Sequence, residues 1–268
     1  MTKRREVALR GTVFLVLIFC ANIAAAPTRA DYPVAPDVVV FCEPTLRQVV
    51  TALGAQWRNE TGIPVRVFAA PTWSNLAQLA RHTRDDVIIG EGDAAAHAGA
   101  ENLIKTETVV RLWQNKLVVA ALGADLDKAR AASPPQPLDL AVIAGSGPIA
   151  IVDPGVGQAG GQTEQALQTL GMWDAVSAKS IGVVDTADAA FLLSTGGVKL
   201  AVLYATDVAA HPDFVVTDTL PAADGRQIVY WAAQTQRALS PNSARFLDFL
   251  RRTDVRARGR DAGLEVLP

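Results

Sequence analysis

Residues 37–69 read DVVVFCEPTLRQVVTALGAQWRNETGIPVRVFA, and this stretch decides the fold. The run 37–41 (DVVVF) is short, apolar and β-branched, which predicts a strand buried on both faces. Pro44 follows Glu43, and proline suits the first turn of a helix because its missing N–H would have no partner there anyway. Leu46, Val49, Val50, Leu53 and Trp57 then recur along one helical face. Gly62, closing the segment that begins at Asn59, predicts a left-handed cap at the helix end. The run 65–69 (VRVFA) reads as a second strand. Strand, helix and strand in so few residues make a parallel pair with its crossover, so a sheet covered by helices is expected.

The same grammar continues along the chain. Ser74 is read as the cap of a helix that turns Leu76, Leu79 and Ala80 inward. Residues 86–90 (DVIIG) predict a strand and 93–103 a helix. Further strands are expected at 117–122, 149–152, 181–184, 201–204 and 228–233. Residues 131–137 read as a Pro-rich loop and 155–161 as a glycine-rich turn. Helices are expected at 163–170, closed by Gly171, and at 187–194. A final helix at 241–252 carries Phe246, Leu247, Phe249 and Leu250 inward. It has no sheet of its own in the second half, so the chain is expected to return to the first. The predicted fold class is α/β with two lobes, each a mostly parallel sheet flanked by helices. Lobe 1 takes residues 31–115, lobe 2 takes 116–227, and 228–268 return to lobe 1.

Residues 1–30 are set apart from that fold. Lys3, Arg4, Arg5 and Arg10 form a basic start, 11–26 run apolar, and small residues lead to Ala30, the layout of a signal peptide. Export to the periplasm is therefore expected, with cleavage after Ala30 and no lipid anchor, because bulky residues precede Cys20. That segment carries five basic residues and one acid, so the formal charge of −2 becomes −6 for residues 31–268. An acidic surface argues against nucleic acid as a partner. With half of all residues apolar, burial is ample without staples. Cys42 is then the one cysteine left, which excludes an internal disulfide. Neither Cys-x-x-Cys nor His-Glu-x-x-His occurs, so no zinc cluster and no resident cofactor are expected.

Open α/β sheets bind ligands beyond the carboxyl ends of their strands, at helix N-termini. Four such places can be named: Cys42, Glu43 and Thr45; Thr72, Trp73 and Ser74; Asp153 with 155–161; and Tyr204 with Thr206. Hydroxyls and free N–H groups at helix starts suit an anion. The glycine-rich turn is no phosphate-binding P-loop, because no Gly-Lys-Ser/Thr follows it. Asp153, Glu43 and Tyr204 could do acid–base work, yet no nucleophile–base pair accompanies them, so an enzyme is not expected.

The order of these pieces resembles the periplasmic molybdate-binding proteins of the type II solute-binding fold. The matching stretches are 38–65, 75–80 (NLAQLA), 85–90 (DDVIIG), 114–121 (QNKLVVAA), 149–176 (IAIVDPGVGQAGGQTEQALQTLGMWDAV) and 201–207 (AVLYATD). The resemblance implies two lobes that close over a small oxyanion held by neutral donors. It further implies a membrane ABC transporter permease that receives the cargo, and a monomer. Its contacts fall on Thr45, on the Thr72–Ser74 stretch with Trp73, and on Ala159, Ala187 and Tyr204, with Cys42, Glu43 and Asp153 nearby. Glu43 and Trp73 depart from the family pattern, and a desolvated carboxylate beside an oxyanion repels it. Two alternatives therefore stay open: the same clamshell with a metal complex or small organic cargo, or a periplasmic partner protein outside transport.

Overall fold

The computed structural model describes residues 37–123, 148–222 and 227–267. The leader at 1–30 and the Pro-rich stretch 131–137 lie outside them. Strand β1 (Val38–Cys42) is buried along its whole length. A 3-10 turn (Pro44–Leu46) leads into α1 (Arg47–Thr61), which buries Val49, Val50, Leu53 and Trp57. Gly62 closes α1 at φ 75°, the left-handed geometry that glycine adopts without strain. Strand β2 (Val65–Ala69), α2 (Thr72–Ala80), β3 (Val87–Glu91), α3 (Ala94–Ala100) and β4 (Val110–Asn115) follow. Lys116 alone separates β4 from β5 (Leu117–Leu122).

Beyond 148 come β6 (Ile149–Val152), α4 (Gln158–Thr169), α5 (Trp173–Ser177), β7 (Ser180–Val183), α6 (Thr186–Ser194), β8 (Leu200–Tyr204), α7 (Ala205–Ala209) and β9 (Phe214–Thr219). The chain ends with β10 (Ile228–Gln234), α8 (Ser243–Arg251), α9 (Thr253–Ala257), a 3-10 turn (Arg258–Ala262) and β11 (Glu265–Val266).

Two sheets result. The first has the order β11-β4-β10-β3-β1-β2 and the second β7-β6-β8-β5-β9. Each has a parallel part, as the strand–helix–strand grammar requires, and an antiparallel part. In the first sheet β1 pairs in parallel with β2 and β3, while β10 runs antiparallel to β3 and β4. In the second, β6 pairs in parallel with β7 and β8, and β5 runs antiparallel to β8 and β9. The antiparallel strands β4, β5 and β10 are those at which the chain passes between sheets. The final helix packs back on the start of the chain: Trp57 of α1 meets Phe246 and Phe249 of α8 edge-on, at 5.5 and 5.4 Å between ring centroids.

Several local readings shift. Helix α2 begins at Thr72, so Ser74 lies within its first turn instead of capping it. Ala80 is exposed while Leu76 and Leu79 are buried. Helix α4 reaches back to Gln158, into the stretch read as a glycine-rich turn. The reason is close packing: a Cβ on Gly160 would lie 2.5 Å from the carbonyl oxygens of Val152 and Asp153. Glycine there seats the first turn of α4 on the end of β6, and glycine is the residue that permits such an approach.

Candidate functional site

The carboxyl ends of β1, β3 and β8, the start of β10 and the end of β4 bring polar side chains to one place. Glu43 follows β1, Glu91 ends β3, Tyr204 ends β8, Asn115 ends β4, and Tyr230 lies in β10 directly opposite Glu91. Directly opposed residues of an antiparallel pair share a face, so Glu91 and Tyr230 are neighbours by register.

Thr72 organises the first half of the cluster. Its backbone N–H and its hydroxyl both donate to Oε1 of Glu43. The same hydroxyl oxygen accepts from the N–H of Glu91 at 3.0 Å. A carboxylate of the chain thus occupies the N-terminus of α2, where unpaired N–H groups and the helix dipole favour negative charge. Asn75 fixes α2 in that position by donating to the carbonyls of Cys42 at 3.2 Å and Ala70 at 2.7 Å.

Asn115 organises the second half. Its Nδ2 donates to the Tyr230 hydroxyl and to Thr206 Oγ1, both at 3.1 Å, and its Oδ1 accepts from the N–H of Lys116 at 2.9 Å. Thr45 Oγ1 also meets the Tyr230 hydroxyl at 3.1 Å. This network ties the first sheet to α7, which starts directly after β8. At that junction the N–H of Tyr204 donates to Asp207 at 3.0 Å.

Glu91 is the anomaly of the cluster. It is 6% exposed, and its Oε1 is buried with no hydrogen-bond partner. Burial, and then the charge of Glu43, push its carboxyl up to about 8. Burial also raises Glu43, against the two bonds from Thr72. Tyr204 and Tyr230 are held well above the usual phenol range, first by burial and then by the charge of Glu91. Cys42 is fully buried, and burial followed by the Glu43 charge pushes its thiol up to about 12, so it stays a protonated packing residue.

Two cavities flank the cluster. One of about 450 Å³ opens between Gly92, next to Glu91, and the loop at Pro154, Val156 and Gln158. The other, of about 480 Å³, lies between α1, α7 and the 258–262 turn, and is lined in part by Thr45 and Thr206. Glu43, Glu91, Tyr204 and Tyr230 line neither; Glu91, Tyr204 and Tyr230 are buried and Glu43 is partly buried.

Of the residues named from sequence, Glu43, Thr45, Thr72, Tyr204 and Thr206 come together here. Trp73 does not join them: it is 56% exposed and meets His97 edge-on at 5.0 Å. Ser74 and Ala187 are exposed, and Ala159 is buried in the first turn of α4. Asp153 is exposed and accepts from the N–H of Gly155 at 2.8 Å, a local turn contact. Glu91, Asn115 and Tyr230 were missed. A signal for Glu91 was available, since it is an acid that ends an apolar strand instead of starting a loop.

The unpaired carboxyl has a measurable consequence in the empty protein. Glu91 keeps its proton up to about pH 8 when folded, against an ordinary value of 4.5. Between those values the folded state holds more protons than the unfolded state. Stability therefore falls as pH rises across that window and levels off above it. Thermal unfolding followed from pH 5 to 9 should show this fall, and Glu91→Gln should make it shallower. An equal slope in the variant would contradict the assignment.

Comparison with known proteins places the chain among proteins of one kind. Residues 38–265 match the family model described as bacterial extracellular solute-binding protein. The molybdate-binding protein ModA of Escherichia coli (strain K12) is 25% identical over 215 residues, covering 80% of this chain and 83% of that protein. A solved structure described as the substrate binding domain of a molybdenum ABC transporter from Clostridium difficile superposes with a TM-score of 0.72 at 15% identity, over 87% of this chain and 99% of that one. The periplasmic molybdate-binding protein of Azotobacter vinelandii does so with a TM-score of 0.66 at 18% identity, over 86% and 99%.

Proposed function

This chain belongs to the bacterial extracellular solute-binding protein family and has its two-lobed type II fold, and we propose that it captures a small cargo between its sheets for an ABC importer. The capture site is the cluster of Glu43, Thr45, Thr72, Glu91, Tyr204 and Tyr230. The first sheet meets the second at Lys116, between β4 and β5, and the ends of both sheets supply the groups of the site. Family relatives are binding proteins, and capture rather than catalysis is the role proposed.

The observation that decides between cargoes is the placement of Glu43. The N–H and hydroxyl of Thr72 are donors of the kind that would hold an oxyanion, and they already hold a carboxylate. A second buried carboxyl, Glu91, lies beside it. An entering oxyanion is opposed by the charge of Glu43, and by Glu91 once that carboxyl ionises, which favours the same clamshell with a different cargo. Molybdate or a similar oxyanion is the second reading. It is supported by the molybdate-binding relatives and by the neutral hydroxyls of Thr45, Tyr204 and Tyr230.

A thermal-shift screen of the purified protein against oxyanions, metal ions and small organic acids tests capture itself. A ligand at a hundredfold excess over its dissociation constant stabilises the folded state by about 2.7 kcal/mol. A selective shift that disappears in Thr45→Ala combined with Tyr204→Phe places the cargo in this cluster. A shift unchanged in that double variant would remove the site from it.

A further inference from the structure

We propose that the cargo is a hard, highly charged metal cation of the ferric type, held by the carboxylates of Glu43 and Glu91 and the phenol oxygens of Tyr204 and Tyr230. The inference rests on capture at this cluster and names the class of ligand.

Glu91 and Tyr230 are directly opposed across β3 and β10, and Glu43 and Glu91 both lie near enough to act on the phenols of Tyr204 and Tyr230. Glu43 accepts both Thr72 bonds on Oε1. Glu91 leaves Oε1 buried and unpartnered. A carboxyl group more than nine-tenths buried with an idle oxygen is costly unless something meets it. The Tyr230 oxygen receives Asn115 Nδ2 and lies at hydrogen-bond distance from the Thr45 hydroxyl. The Asn115 N–H favours an oxygen that carries negative charge, as does the Thr45 hydroxyl in the orientation in which it donates. Tyr204 approaches from the second sheet, so its engagement needs the sheets closed on each other.

The charged or ionisable side chains that act most strongly on Tyr204 and Tyr230 are Glu91, Glu43, Asp207 and each other's phenol. A cluster whose ionisable groups are carboxyls and phenols is complementary to a cation. Carboxylate and phenolate oxygens are hard donors, which select hard metal ions over soft ones. Among the described residues no group of three or more His, Cys, Asp or Glu could hold a metal. The phenols are what complete this donor set, and a phenol joins a metal at neutral pH only when the metal is a strong Lewis acid. Each phenol that coordinates releases its proton to water, and no electron is transferred.

Ferric ion, supplied as its nitrilotriacetate complex to the purified protein, tests the proposal. Phenolate bound to ferric ion absorbs visible light, so a coloured complex that saturates at one metal per chain is expected. Tyr204→Phe, which keeps the ring and its packing, should remove most of the band, and Glu91→Gln should weaken binding at least tenfold. A band that survives both substitutions would put the metal elsewhere and overturn the proposal. Absence of any band would overturn it too. In that event a Tyr204-dependent shift with molybdate would leave capture at the cluster standing, and no response to any ligand would bring down both readings.

Discussion

Asp86→Ala should destabilise the protein by about 3–5 kcal/mol, the range for breaking a buried, hydrogen-bonded charge by removing one partner. Asp86 is fully buried. Its Oδ2 accepts from the N–H of Val39 at 2.9 Å, and its Oδ1 accepts from the N–H groups of Leu239 at 2.7 Å and Ser240 at 2.8 Å. Arg84 adds an ion pair at 3.5 Å. One side chain thus joins β1, β3 and the turn before α8, and so clips the end of the chain to its beginning. Alanine would leave three backbone donors without this acceptor, each costing about 1–3 kcal/mol if it stays buried and unpaired. The neighbouring Asp85 limits the loss slightly, because burial and then the Asp86 charge raise its carboxyl well above the usual range. Urea unfolding monitored by tryptophan fluorescence would measure the loss. A change under 1 kcal/mol would show that the clip is not what holds the C-terminal segment.

The second large effect concerns the cargo. Glu43→Gln and Glu91→Gln should each weaken cation binding by about a hundredfold. At an effective dielectric of 20, opposite unit charges 4 Å apart attract by about 4 kcal/mol, part of which is offset by lost hydration. Glutamine keeps the shape and can still accept from Thr72, so the difference isolates charge. The double variant should gain affinity for molybdate, because the Glu43 charge and the ionisable carboxyl of Glu91 are gone while the hydroxyls of Thr45, Thr72, Tyr204 and Tyr230 remain. Calorimetric titration of each variant with ferric nitrilotriacetate and with molybdate would check both signs. Molybdate binding that is tight in the unaltered protein and unimproved in the double variant would favour the oxyanion reading.

The parts of this molecule legible in its sequence are those governed by local pattern. The run DVVVF, the apolar face of α1 and the cap at Gly62 each reflect short-range chemistry, and each occurs where that chemistry puts it. Strands β4 and β9 were not read, because VRLWQN and FVVTDT mix polar and apolar residues without a clear period. Their pairing is set by distant partners, β10 for the first and β5 for the second. The site divides in the same way. Thr45, Thr72 and Tyr204 sit where a strand meets a helix, a place visible in sequence. Glu91 and Tyr230 become a pair only through the register of β3 against β10, far apart along the chain. Trp73 drew attention as a departure from the family pattern in the stretch where the resemblance puts a ligand contact. The start of α2 at Thr72, however, turns it outward toward His97.

The most direct test of the account is an anomalous-scattering map from crystals of the protein loaded with ferric ion. A single peak within coordination distance of Glu43, Glu91, Tyr204 and Tyr230, about 2 Å from their oxygens, is the predicted result. A peak elsewhere, or density for an anion at the N-terminus of α2 with Glu43 displaced, would contradict it.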